Sequence, residues 1–470
     1  MRLTTIMKAY PRSAALLCAL IALSSRAWGL SAEDARHLLI RTGYDASPAQ
    51  VQRIESMTRN QAVQSIVDRA SRDVRRLSAA PPTWARMSHD IVPRPLVRGL
   101  PPAQAELNRV AYQKELSSRG LQLKEWEVEE LVRSPDPFAE KMVLFWHNNF
   151  TSSLDTVRDP GLMFNQDQTL RRYAFGSFAQ MLHAMARDPA MIVYLDNETN
   201  TKGKPNENFA REVMELFTLG VGNYTEQDIK QSARAFTGWR VDYATGRFRY
   251  EPRLHDDGVK TFMGRSGNWN GDDILSIILD QKQVSLYITT KLWKELVSPT
   301  PDQAEVERLA ARFKASGYQI GPLLIGLLET PEFWAPQDRG ELVKSPVELL
   351  VGAVRTLGIE AVPPRQIVWE LRNLGQDLFN PPTVKGWPTG TGWIDSDTLI
   401  LRRSIMSQFV SYYARERRGA SSPQKGQPAP LAALTPAHLL SRPPIAPCTA
   451  RPGTLACLRG TLIDPAYELE

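Results

Sequence analysis

Cysteine is scarce, three residues in 470, which excludes a fold built on a disulfide scaffold. Long apolar runs are missing as well. No stretch reaches the roughly 18 uninterrupted apolar residues that a membrane-spanning helix requires. Charge of one sign does not dominate either: 57 Lys and Arg face 51 Asp and Glu, a formal net charge of +6. Four of the cations, Arg2, Lys8, Arg12 and Arg26, lie in residues 1–29, which hold no acid, so the remainder has 53 against 51. A nucleic-acid binder needs clustered cations that release counterions from phosphate, and no such cluster survives; DNA and RNA are set aside as partners. HExxH, GxSxG, a Walker loop and GxGxxG before a strand are all absent. Zincin, α/β-hydrolase, P-loop and Rossmann chemistry drop out with them.

What is present begins with a cationic start, the apolar run Ala14–Leu23, a Ser24-Ser25 break and small residues at Ala27 and Gly29 around Trp28. This is the pattern of a secretory signal, with cleavage expected after Gly29 and a periplasmic or extracellular destination. The apolar run is too short to span a bilayer, so no stable membrane span is expected after cleavage. Losing Cys18 with the signal leaves Cys448 and Cys457, nine apart, which either close a small disulfide loop or stay free.

An apolar content of 42% supports a large core. Helical periodicity recurs at 48–58, 60–77, 102–118, 122–134, 137–149 and 166–187, then at 206–219 and 225–236. It resumes at 271–280, 283–297, 302–315, 320–329, 343–358, 364–374 and 396–417. Ser31 and Asp34, and again Thr225 and Asp228, read as capping boxes. VDYATGRFRY alternates across an Ala-Thr-Gly turn and predicts a β-hairpin insertion near 239–263. The fold class expected is mainly α: a signal at 1–29, one large multi-helix domain over 30–417, and a loosely attached tail over 418–470 with short helices. That tail holds nine of the 34 prolines.

Four segments combine residues able to carry chemistry. FWHNNF, 145–150, sets His147, Asn148 and Asn149 among aromatics, where imidazole and amide groups are either structural ties or site residues. In PNENFAREVMELF, 205–217, Glu207, Arg211 and Glu215 are spaced by four and share one ridge of an α-helix. They form a solvated ladder of ion pairs, or an inward pair of carboxylates steadied by Arg211 and flanked by Asn206 and Asn208. HDDGVK, 255–260, offers His255, Asp256 and Lys260 around Gly258, as a site or as a hairpin-closing loop. FNPPTVKGWPTGTGW, 379–393, presents Trp387 and Trp393, which stack on a ligand or plug a rigid loop.

In this order, the four segments together with RDPAMIVYLDNETNTKGKPNENFAREVMELFTLGVGNYTEQDIKQSARAFTGW, LVKSPVELL and the opening ARHLLIRTGY resemble the secreted bacterial proteins catalogued as domain of unknown function 1800. The resemblance covers nearly all of residues 31–415. FWHNNF departs from it by carrying Asn149 where the family commonly has a second His. The resemblance implies an exported, mostly helical protein, often encoded beside an exported family related to sulfatases; it implies no reaction. Two functions are therefore carried forward. One is an exported hydrolase-like enzyme acting on an envelope or extracellular polymer. In it His147, Glu207, Glu215, His255 and Asp256 converge, with Arg211 and Lys260 setting their charge and a divalent metal as a compatible cofactor. The other is a non-catalytic scaffold or assembly partner of another exported protein, for which the sulfatase-related family is the candidate.

Overall fold

A computed structural model of the protein describes residues 29–44, 46–86, 95, 97–419 and 430–470. The export signal expected in residues 1–29 lies outside them except for Gly29. Helix follows helix, and several bounds coincide with the apolar periodicity: Pro137–Asn149, Glu226–Ala235, Gln303–Ala315, Ile320–Leu328 and Pro364–Asn373. Local chemistry starts these elements. Thr225 Oγ1 accepts the Asp228 amide at 3.1 Å while Asp228 Oδ2 accepts the Thr225 amide at 2.9 Å, a reciprocal box. At Ser31 only half the box forms. Its hydroxyl accepts the Asp34 amide at 3.0 Å, but the Asp34 carboxylate pairs with Arg59 and Arg339 instead.

Helix bounds change where long-range packing acts. The stretches 102–118 and 122–134 are one helix, Pro102–Arg133. Gly120, which reads as a breaker, is buried in its middle, where a Cβ would approach Leu154 Cδ2 to 3.0 Å; the glycine admits a neighbour and does not end the helix. The stretch 166–187 is instead two helices, Pro160–Tyr173 and Phe178–Ala186, with Ser177 capping the second. The hairpin forms as expected, Trp239–Asp242 pairing antiparallel with Arg247–Tyr250. A second ribbon, Lys260–Phe262 with Arg265–Gly267, follows it, turning through Met263 and Gly264, both at positive φ.

Two apolar cores fill the described residues. One gathers the 178–328 helices and the N-terminal helices; the other gathers the 346–357 helix, the C-terminal half of Pro102–Arg133 and the long Ser396–Gly419 helix. The helix Pro137–Asn149 is buried on nearly all sides: Phe138, Ala139, Met142, Val143, Phe145 and Trp146 enter the first core and Leu144 touches the second. Its two charged neighbours, Glu140 and Lys141, are 2% and 3% exposed. Groups so placed must be paired, because an unpaired buried charge costs several kcal/mol. Glu140 and Asp167 hold Arg171 at 2.8 Å each, Glu127 stands 3.7 Å away, and the guanidinium lies 5.6 Å over the Trp126 ring. Lys141 Nζ meets Glu348 at 2.6 Å and Glu470 at 3.0 Å. Burial works against the Lys141 charge, but Glu348 and Glu470 outweigh it and hold the ammonium above its ordinary range.

Residues 430–470 are packed, contrary to the loose attachment expected from their prolines. Leu434, Leu439, Leu458, Leu462 and Tyr467 belong to the second core, and Arg402 pairs with Glu468 at 2.7 Å. The backbone of the last residues joins 342–344, with Lys344 N donating to Glu468 O at 2.8 Å and Glu470 N to Leu342 O at 2.9 Å. No helix among the described residues is long and apolar enough to cross a membrane.

Replacing Lys141 by Met leaves Glu348 and Glu470 buried without their cation. The expected loss is about 3–5 kcal/mol in chemical denaturation; a loss below about 1 kcal/mol would contradict the pairing.

Candidate functional site

FWHNNF ends the buried helix, and the 379–393 loop folds over it. The His147 ring lies 5.4 Å from the Phe379 ring and 5.4 Å from the Trp387 ring. Burial drives its imidazole down to about 4, with a hydrogen bond at the Ser152 backbone only partly opposing, so the ring is neutral at neutral pH. Asn148 Oδ1 accepts the Trp387 amide at 2.7 Å. Gly386 has φ +91° and a Cβ there would stand 2.0 Å from Asn148 Oδ1, so only glycine allows this closure. Trp387 and Trp393 are both buried; the plug alternative describes them, and neither offers an open stacking face.

The 205–217 segment does not keep the ridge expected of it. Asn208–Glu212 is α-helical, but Val213–Thr218 winds as a π-helix, with Leu219 N donating to Met214 O at 2.8 Å. The wider turn rotates Glu215 away from the α-helical ridge. Arg211 forks onto both oxygens of Glu226 at 2.9 Å and reaches Glu207 only at 3.5 Å. Glu215 accepts the Tyr224 hydroxyl at 2.5 Å. Asn206 ties its own loop, donating to Thr199 Oγ1 at 2.9 Å and accepting the Asn208 amide at 3.0 Å.

HDDGVK closes on itself. Arg234 grips Asp256 at 2.7 and 3.0 Å, and with the Gly258 amide this hydrogen bonding brings the carboxyl down to about 2. Lys260 is fully buried and donates to the Asp256 and Gly258 carbonyls at 2.5 and 3.0 Å, and His255 Nδ1 lies 3.0 Å from Thr237 O. Its ties run to the ribbons, to the end of the Glu226–Ala235 helix and, with Lys202 Nζ donating to Asp257 at 2.7 Å, to the turn before the 205–217 segment; the seam itself is built from the other three segments.

Those three do meet. Asn148 joins the loop at Trp387, the Phe150 and Phe217 rings lie 5.3 Å apart, and the Lys385 charge acts on Glu212. A fourth element completes the seam. From the helix Lys282–Leu296, Tyr287 donates to the Leu216 carbonyl at 3.0 Å, and Lys291 Nζ donates to Asn149 Oδ1 at 2.6 Å and reaches that carbonyl at 3.5 Å. Leu216 accepts both because it lies in the last helical turn, where carbonyls lack amide partners. Burial lowers the Lys291 amine to about 8, with Glu295 opposing, and raises Tyr287 to about 12 together with Glu215. Burial and Glu215 push the Glu212 carboxyl up. An amine poised near neutrality, 5.1 Å from the centre of the Tyr287 ring, can exchange protons with a bound group.

Glu212, Tyr224, Tyr287, Lys291 and Lys385 escaped the sequence reading. Glu212 lies one position off the supposed ridge, and Lys291 sits in a helix whose charges look solvated. A cleft of ≈ 370 Å³ opens elsewhere, lined by Arg75, Asn165, Gln168, Thr169, Arg171 and Arg172. Among the described residues no group of three or more His, Cys, Asp or Glu is arranged to hold a metal ion.

Two titrations check this geometry. The unfolded imidazole binds its proton near pH 6.5 and the folded His147 near 4. Its contribution is therefore fully present above about 6.5 and is lost as pH falls through about 4. A His147→Phe variant should show an acid dependence of unfolding free energy shallower by up to one proton, ~1.4 kcal/mol per pH unit, across that window; equal slopes would count against a buried neutral ring. For Lys291, NMR of methyl-labelled lysines should give one resonance, absent from Lys291→Met, that titrates near 8. A midpoint near the ordinary ~10.4 would contradict the seam.

Searches of curated proteins and of solved structures returned no match. The family described as a protein of unknown function, DUF1800, matches residues 37–453. This chain belongs to the DUF1800 family.

Proposed function

We propose that the protein is an exported hydrolase-like enzyme acting on an envelope or extracellular polymer, and that the seam around the π-turn is its acid–base centre. The observation that carries this reading is the convergence of Asn149, the Leu216 carbonyl, Tyr287 and Lys291 from segments far apart in the chain, with the Glu215 charge acting on Tyr287. Lys291, near 8, takes a proton from an attacking water. The same ammonium then returns that proton to the leaving group as the polymer bond breaks. Tyr224 holds Glu215 in place. Export is supported by the cationic, apolar and small-residue order of residues 1–29.

A second reading, a scaffold or assembly partner of another exported protein, of which the sulfatase-related family is one candidate, is favoured by a specific observation. Asn148, Asp256 and Lys260 spend their hydrogen bonds inside the protein. The test is product release from envelope glycan and peptide polymers, followed by mass spectrometry. Lys291→Met and Lys291→Gln variants that keep the parent melting temperature are expected to lose about 10²-fold or more of the rate. Equal release by parent and variants would overturn the seam as the centre. No release, together with a stoichiometric companion captured from the envelope, would favour the scaffold.

A further inference from the structure

Cys448 and Cys457 stand beside one another, and what their segment holds gives the pair a consequence. Cys457 is buried on the helix Leu455–Leu462; Cys448 is half-buried in the strand of chain that runs over it, and both are free thiols. Asp464, just past that helix, accepts the Ile445 amide at 3.1 Å and the Ala446 amide at 2.7 Å, which fixes the approach of Cys448. One turn beyond Cys457, Gly460 leaves the space that Cys448 occupies: a Cβ on Gly460 would lie 3.9 Å from Cys448 Cβ. The return between them is shaped by Gly453 at φ +78° and by Thr454, whose hydroxyl accepts the Cys457 amide at 3.2 Å. Burial and the neighbouring Cys448 thiol push the Cys457 thiol up to about 11. Disulfide formation demands a close approach of the two side chains, and the Cys448 thiol lies close enough to hydrogen-bond with that of Cys457.

We propose that Cys448 and Cys457 form a redox-controlled clasp, closed by exchange with a small disulfide donor, which fastens the segment that carries Glu468 and Glu470 into the centre of the protein. The more accessible Cys448 thiolate attacks one sulfur of the donor and expels the first donor thiol. Cys457 then gives up its proton and attacks the Cys448 sulfur of the mixed disulfide, and the second donor thiol leaves. Two protein thiols are oxidised to one disulfide, and the donor disulfide is reduced to two thiols, which carry away both protons. The closed ring pins the 448–457 return onto its helix. Five residues past that helix, Tyr467 O accepts Lys344 Nζ at 2.8 Å, Glu468 pairs with Arg402, and Glu470 pairs with Lys141. The clasp therefore acts on the last residues that reach the buried Lys141.

The experiment treats the full chain with oxidised glutathione or with dithiothreitol, then maps peptides by mass spectrometry under non-reducing conditions. The expected result is a Cys448–Cys457 cross-linked peptide lighter by two hydrogens and a melting temperature about 3 °C above the reduced protein. Proteolysis of residues 430–470 should slow in the oxidised form. Cys448→Ala, at a half-buried position, should remove the redox dependence of both readouts while leaving the reduced protein's melting temperature unchanged; Cys457→Ala repeats the test from the other side. Two separate glutathione adducts, a link through Cys18, or a cross-link that changes neither melting nor proteolysis would overturn the clasp.

Discussion

The fold depends on a helix that is buried on nearly all sides and yet carries two adjacent charges. Glu140 and Lys141 differ by about 100° around the helix axis, so they point into different surroundings and each must be paired there. Glu140 draws in Arg171 and, through it, Asp167 and Glu127. Lys141 draws in Glu348 and Glu470. One helix thereby fixes the 160–173 helix, the 346–357 helix and the end of the chain relative to itself. Apolar burial supplies most of the driving force, but it is not directional. The paired charges select which helices meet, because any other arrangement leaves a buried ion alone.

The same helix ends in His147, Asn148 and Asn149, and its fixed position is what brings the seam together. From its C-terminus, Asn148 holds the 379–393 loop and Asn149 holds Lys291. Behind Lys291, one turn along its own helix, stands Glu295. Burial, Glu348 and Glu470 push that carboxyl up to about 7, with Lys141 opposing. Lys141, Glu295 and Lys291 therefore form a line of charge from the core to the π-turn. The charge state of Lys291 is set jointly by its own burial and by this line, which connects the buried charges of the core to the seam through one side chain.

Features whose causes are local were legible in the sequence. The Thr225–Asp228 box, the 239–250 hairpin and the bounds of Pro137–Asn149 follow from capping, turn and proline chemistry within a few residues. Features decided by distant partners were not. Gly120 lies within a continuous helix because Leu154 packs beside it, and the 213–218 turn widens, so the fourfold spacing of Glu207, Arg211 and Glu215 no longer marks one face. The buried charges of Glu140 and Lys141 look like ordinary surface polarity until their partners, up to 329 residues away, are seen. The aromatic-polar segments 145–150, 205–217 and 379–393 come into contact with one another. HDDGVK drew attention for the same compositional reason as those three, although Arg234 satisfies Asp256 and the loop's own carbonyls satisfy Lys260. Lys291 gave no signal at all, since a lysine in an amphipathic helix reads as solvated.

The line of charge is tested most directly by titrating Lys291 in a Glu295→Gln variant. Without the carboxylate that supports its charge, the amine should titrate lower than in the parent protein, below about 8. An unchanged or higher midpoint would contradict the account that the buried charges of the core reach the seam through Glu295.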